Sequence, residues 1–169
     1  MVIVPWTTVA FAVATVAAIS VVLVAIGLRN PRVMLQDFPK DVQAAVPPKT
    51  PAERRETVWW ATLLIGLVFG MPLAAALVAR AQVPDLSFAG AYVNAFVVLV
   101  VFNLVDWLVI DWLIVCTWTP RFFVLPGTEG MAGYKEYGPH FRGFLIGMVL
   151  AVVASAVIAA AVTLLGRGG

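Results

Sequence analysis

The sequence predicts an all-α, polytopic membrane protein built as a four-transmembrane-helix bundle. Composition is the first reason: of 169 residues, 62% are hydrophobic and only 12% charged, where soluble domains run near roughly 45–50% and about 25%. Second, four stretches reach the roughly 20 residues needed to cross about 30 Å of hydrocarbon at about 1.5 Å per residue. Third, these runs are continuous, whereas spanning strands alternate over segments of about ten residues.

The first helix is expected over about 5–28. Residues 1–28 carry no charge, and Val9 to Gly27 is almost wholly Ala, Val and Ile. Without a basic leading segment or a small-x-small cleavage site, this reads as a retained helix, not a signal peptide. Thr7, Thr8, Thr15 and Ser20 fit inside it, because hydroxyls bond back to helix carbonyls. The loop 29–50 is punctuated by Pro31, Pro39, Pro47 and Pro48, so it reads as a semi-rigid connector. Within it, Asp37-Phe38-Pro39 precedes a short interfacial helix over Lys40 to Val46, with Phe38, Val42 and Val46 expected toward the bilayer.

The second helix is expected over about 51–80. Thr50-Pro51-Ala52-Glu53 matches a capping box with proline in the first turn, and Pro72 is expected to kink the helix and free a carbonyl near Val68. The third is expected over about 86–118, after a short connection that makes it a neighbour of the second. The fourth, about 142–166, is uncharged between Arg142 and Arg167. The loop 119–141 between them mixes Gly127, Gly130, Gly133 and Gly138 with Phe122, Phe123, Tyr134 and Tyr137. No internal repeat is visible, so the inverted-repeat signature of many transporters is missing, and residues 1–169 read as one membrane domain.

Lysine and arginine set the orientation. Arg29, Arg32, Lys40, Lys49, Arg54, Arg55, Arg121, Lys135 and Arg142 lie on the side of the two long loops, against Arg80 and Arg167 on the other. By the positive-inside rule this predicts an inner (cell) membrane protein with both long loops cytoplasmic and both termini extracytoplasmic. Trp6 then marks the outer boundary and Trp59, Trp60 and Trp118 the inner one.

Small residues recur at four-residue spacing: Gly143, Gly147, Ala151, Ser155 and Ala159 in the fourth helix, Gly66, Gly70 and Ala74 in the second, and Ala10, Ala14 and Ala18 in the first. Residues four apart share a helix face, and small side chains let backbones approach where no hydrophobic effect operates. Such faces serve packing inside the bundle, or a seam for a second copy or another membrane protein.

Asp106 and Asp111 are the most informative polar residues. An ionised aspartate at mid-bilayer costs about 2.5–3.5 kcal/mol on insertion scales, so it needs a partner or a purpose. At 100° per residue, Asn103, Asp106 and Asp111 fall within an arc of about 140°. The candidate partners are Arg121, Arg142 and protonated His140; the alternatives are a proton or cation pathway through Asp106, or solvation at the interface.

One histidine and one cysteine, Cys116, exclude a bis-histidine haem and a paired-cysteine redox site. Neither a zinc-protease HExxH, a GxSxG elbow nor a P-loop is present, and no cofactor or metal is expected. A net charge of +2 argues against nucleic acid as a partner; the expected partners are the lipid bilayer and a second copy or another membrane protein. Three functional readings follow. The leading one is a non-enzymatic, self- or partner-associating membrane subunit. The alternative is a small proton- or ion-coupled transporter or channel subunit using Asp106. A further alternative is a lipid-modifying enzyme with its site around Glu129, His140 and Arg142; with Arg121 these residues are also a candidate cytoplasmic-face ion-pair or headgroup site.

Overall fold

The computed structural model describes residues 4–83 and 85–165. It is 84% helical, without a strand among the described residues. In chain order the helices are α1 (Trp6–Arg29), α2 (Lys40–Ala45), α3 (Pro51–Gln82), α4 (Phe88–Val105), prolonged without a break to Trp118, and α5 (Tyr137–Leu165). The four long ones, α1, α3, prolonged α4 and α5, are long and apolar enough to cross a membrane. The chain is an all-α, multi-pass membrane bundle. Its surface fits that solvent: Val13, Val21, Ile65, Val149, Val153 and Val157 are all more than half exposed, a pattern water would penalise and lipid tolerates.

Local signals set the helix ends. Thr50 and Glu53 form the expected capping box, with Thr50 N–H donating to Glu53 Oε2 at 2.7 Å and Glu53 N–H to Thr50 Oγ1 at 3.2 Å. Ser87 Oγ accepts from Gly90 N–H at 3.1 Å, starting α4. Helix α3 runs through a buried Pro72. Helix α5 starts at Tyr137, ahead of the expected 142, which brings His140 into its first turn. The expected end of that helix at 166, and Arg167, lie outside the described residues.

Helix α4 is central, packing against α1, α3 and α5. Small residues permit this: Ala76 of α3, Ala91 and Ala95 of α4, and Ala159 of α5 meet with no exposed surface, and Ala12, Ala75 and Val98 join α1, α3 and α4. The α5 stripe is used inside the bundle, since Ala151, Ser155 and Ala159 are buried and Gly147 abuts Asn103. Gly143 at its end meets open space, and so do Gly66 and Gly70 of α3, while Ala74 is half-buried. Ala10 and Ala14 of α1 are likewise exposed.

Polar pairs fix register between helices. Thr8 Oγ1 of α1 donates to Asn94 Oδ1 of α4, both fully buried, and Asn94 Nδ2 also donates to Gly90 O at 2.8 Å. Interhelical bonds of this kind are worth about 0.6 kcal/mol on average and up to about 1.7 kcal/mol. Thr8→Val is therefore expected to lower thermal stability in detergent by about that much, measured by helical circular dichroism. An unchanged melting curve would show that this pair does not contribute.

The two long loops fold onto each other instead of onto lipid. Leu35, Val42, Leu125 and Tyr134 form a small core, and the Phe38 ring meets Tyr134 edge-on at 5.9 Å. This corrects the expected direction of Phe38, Val42 and Val46: Val42 is 0% exposed within this core, and Phe38 and Val46 pack against it. Gly133 N–H donates to Asp41 Oδ2 at 3.1 Å, and Tyr134 Oη accepts from Leu125 N–H at 3.0 Å. Ion pairs hold the first loop to α3: Arg29–Glu56 at 2.8 Å and Arg32–Glu53 at 2.6 Å. Lys49 Nζ bonds Thr57 Oγ1 at 2.9 Å, as well as Val33 O and Gln36 Oε1.

Candidate functional site: an acidic cavity at the loop end

Past Val105 the third spanning helix widens to π-type turns over Asp106–Trp118. Thr119 N–H reaches Ile114 O at 2.7 Å, and Thr117 Oγ1 reaches Trp112 O at 2.7 Å, both five residues back. Such wider turns bring residues five apart nearer to one face than an α-helix does, and π-type turns recur at functional sites. Asp106 and Asp111 are five apart. So are Trp107 and Trp112, whose rings lie 4.8 Å from each other.

Helix α5 supplies the facing wall. His140 Nδ1 lies 3.0 Å from Asp111 Oδ1, with side chains 22% and 25% exposed. Asn103 Nδ2 donates to Phe144 O at 3.0 Å, and Trp107 stacks on Phe144 at 4.3 Å. The indole N–H groups of Trp107 and Trp112 are buried without acceptors among the described residues. Of the three candidate partners for the aspartates, only His140 is used: neither Arg121 nor Arg142 forms an ion pair with them. Asp106 has no hydrogen bond or ion pair with any described residue.

Two cavities share Asp37, Phe38, Pro39, Asp106, Asp111 and His140 as walls. The smaller one, here the inner cavity, of about 230 Å³, is also lined by Leu23, Met34, Ile110, Val115, Phe123 and Tyr134. The outer one, about 800 Å³, adds Lys40, Asp41, Asn103, Trp107, Glu136 and Arg142. The first loop, expected only as an interfacial connector, thus contributes Asp37, Phe38 and Pro39 to the site. Desolvation raises the Asp37 carboxyl above its ordinary range, and Lys49 nearby pulls it down. Desolvation correspondingly lowers Lys49, while Asp37 opposes this. The only sequence signal for this placement was an acidic-aromatic-proline turn too short to carry a direction.

The expected cluster of Arg121, Glu129, His140 and Arg142 does not form one site. Arg121 and Glu129 line a separate loop cavity of about 630 Å³, whereas His140 and Arg142 face the outer acidic one. In the loop cavity Lys135 is engaged as a cap, donating to Thr117 O at 2.9 Å and Thr119 Oγ1 at 2.6 Å, and Glu129 Oε2 accepts from Gly127 N–H at 2.9 Å. Cys116 is fully buried, with Sγ 3.8 Å from Glu136 O. Among the described residues no three His, Cys, Asp or Glu side chains are placed to hold a metal ion.

No protein-family model, curated protein or solved structure matches the chain.

Proposed function

We propose that the chain is a small inner-membrane carrier or channel subunit that takes up a proton or other cation at Asp106. The observation that carries this reading is an unpartnered carboxylate in a spanning helix, set in the wall between two cavities and one turn from an Asp111–His140 pair. A carboxylate in an apolar spanning segment needs a counter-charge or a bound proton, and intramembrane acids of this kind mark ion and proton pathways. His140 is suited to relay protons, since imidazole titrates near neutral pH. The excess of Lys and Arg in the long loops supports placing the site on the cytoplasmic side, with both termini outside.

The test is a pH-jump assay in sealed proteoliposomes carrying an internal pH dye. The expected result is protein-dependent flux, reduced at least about tenfold in Asp106→Asn, which matches a change of about 1.4 kcal/mol or more in the barrier, with thermal stability unchanged. Flux equal to that of empty vesicles, or wild-type flux in the variant, would overturn the reading.

A second reading, a self- or partner-associating subunit, is favoured by Gly66 and Gly70, which stand open on the lipid-facing side of α3. Close helix approach at such a stripe drives association in bilayers. A single monomeric species in mild detergent and in lipid nanodiscs would remove it.

A further inference from the structure

We infer that the inner cavity binds a small organic cation, an amine or ammonium with an apolar body, placing its charge between Asp106 and Asp111. This deepens the cation-handling reading and rests on it for the role of Asp106 but not for transport.

The inference stands on the cavity as a whole. Its lining holds three carboxylates, Asp37, Asp106 and Asp111, and no lysine or arginine; its one basic group, His140, is already paired with Asp111. An occupant that brings positive charge lets Asp106 stay ionised there; without one the carboxylate must hold a proton, because low-polarity surroundings penalise an uncompensated charge heavily. The rest of the wall selects the kind of cation. Ile110, Val115 and Leu23 give apolar contact, and Phe38, Phe123 and Tyr134 give aromatic rings, whose faces attract ammonium groups within about 6 Å. A bare inorganic ion has no apolar body to set against Ile110, Val115 and Leu23. The same residues offer no triad of donors for a metal among the described residues.

Size narrows the class further. At about 230 Å³ the cavity falls below the roughly 300–1,000 Å³ of drug-sized sites, which suits a single-ring or short-chain amine. The larger cavity shares Asp106 and Asp111 as walls, which puts both carboxylates at the boundary between the two.

The experiment uses the full chain in lipid nanodiscs and isothermal titration with 2-phenylethylammonium chloride, its neutral isostere 2-phenylethanol, and potassium chloride at equal concentration. The expected result is saturable one-to-one binding of the ammonium, at least about tenfold weaker binding of the alcohol, and no displacement by potassium. Asp106→Asn is expected to weaken the ammonium about tenfold or more, and Phe38→Leu several-fold, with the alcohol unaffected by the Asp106 change. Because Asp106 has no partner among the described residues, its amide variant should fold, and equal melting temperatures check this. Equal affinity for ammonium and alcohol, or an Asp106→Asn protein that binds the ammonium like wild type, overturns the inference. Proton flux without ammonium selectivity sinks this proposal and leaves the carrier reading standing. Selective ammonium binding without any flux does the reverse.

Discussion

Gly147→Leu is expected to destabilise the bundle strongly, while the same change at Gly66 or Gly70 leaves it as stable or slightly more so. A Cβ at Gly147 would stand 2.9 Å from Asn103 Cγ and 3.0 Å from its Nδ2, closer than side chains approach. Asn103 must then move, and its Nδ2 loses the Phe144 carbonyl that joins α4 to α5. Overpacking of this kind costs about 1–3 kcal/mol or more, and an unsatisfied buried amide adds about 1–3 kcal/mol. The helix propensity recovered by removing a glycine is only about 1 kcal/mol, so the steric term wins. Gly66 and Gly70 meet nothing within 4 Å, so there no steric cost opposes the propensity gain of up to about 1 kcal/mol. Thermal unfolding in detergent separates the two outcomes. Equal losses at Gly147 and Gly66 would contradict the packing of α5 described above.

Gly133→Val is expected to unlatch the first loop from the second. Its Cβ would lie 2.7 Å from Pro39 Cβ and 2.8 Å from Asp41 Cγ, so the segment around α2 must lift. Three contacts go together: the Gly133 N–H bond to Asp41 at 3.1 Å, the Phe38–Tyr134 ring contact at 5.9 Å, and the full burial of Val42. Hydrogen exchange of the backbone amides in 36–46 reads this directly, with loss of protection worth about 1–3 kcal/mol. Asp41→Ala removes only the hydrogen bond and should cost about 0.5–1.5 kcal/mol. Since Asp37, Phe38 and Pro39 wall both acidic cavities, unlatching should also weaken ammonium binding. Unchanged exchange in Gly133→Val would show that the loops are not clamped together there.

Much of the site was visible as residue types but not as an arrangement. Asp106 and Asp111 stood out because charge in an apolar run is costly. Their relation did not, because a turn of 3.6 residues spreads them with Asn103 over a wide arc, and the wider π-type turns narrow the angle between positions five apart. Similarly, Arg121, Arg142 and His140 were equivalent candidates by proximity to the helix ends. An early start of α5 at Tyr137 and the docking of Lys135 on Thr117 leave His140 alone with Asp111. Asp37 stood only in a short acidic-aromatic-proline turn, and nothing local reports that this proline-rich loop folds back onto the site.

The four spanning segments, their small-residue stripes and the capping box at Thr50 were fixed by the sequence itself. Each is a property of one segment measured against the thickness and dryness of the lipid, or of a few neighbouring residues, and needs no partner to be recognised. Which stripe is spent inside the bundle, which aspartate is paired, and where the first loop lies were decided only by the tertiary structure. Those outcomes depend on contacts between residues far apart in the chain, such as Thr8 with Asn94, Asp41 with Gly133 and Asp111 with His140, and on a change of helical pitch that shifts every side chain beyond Val105.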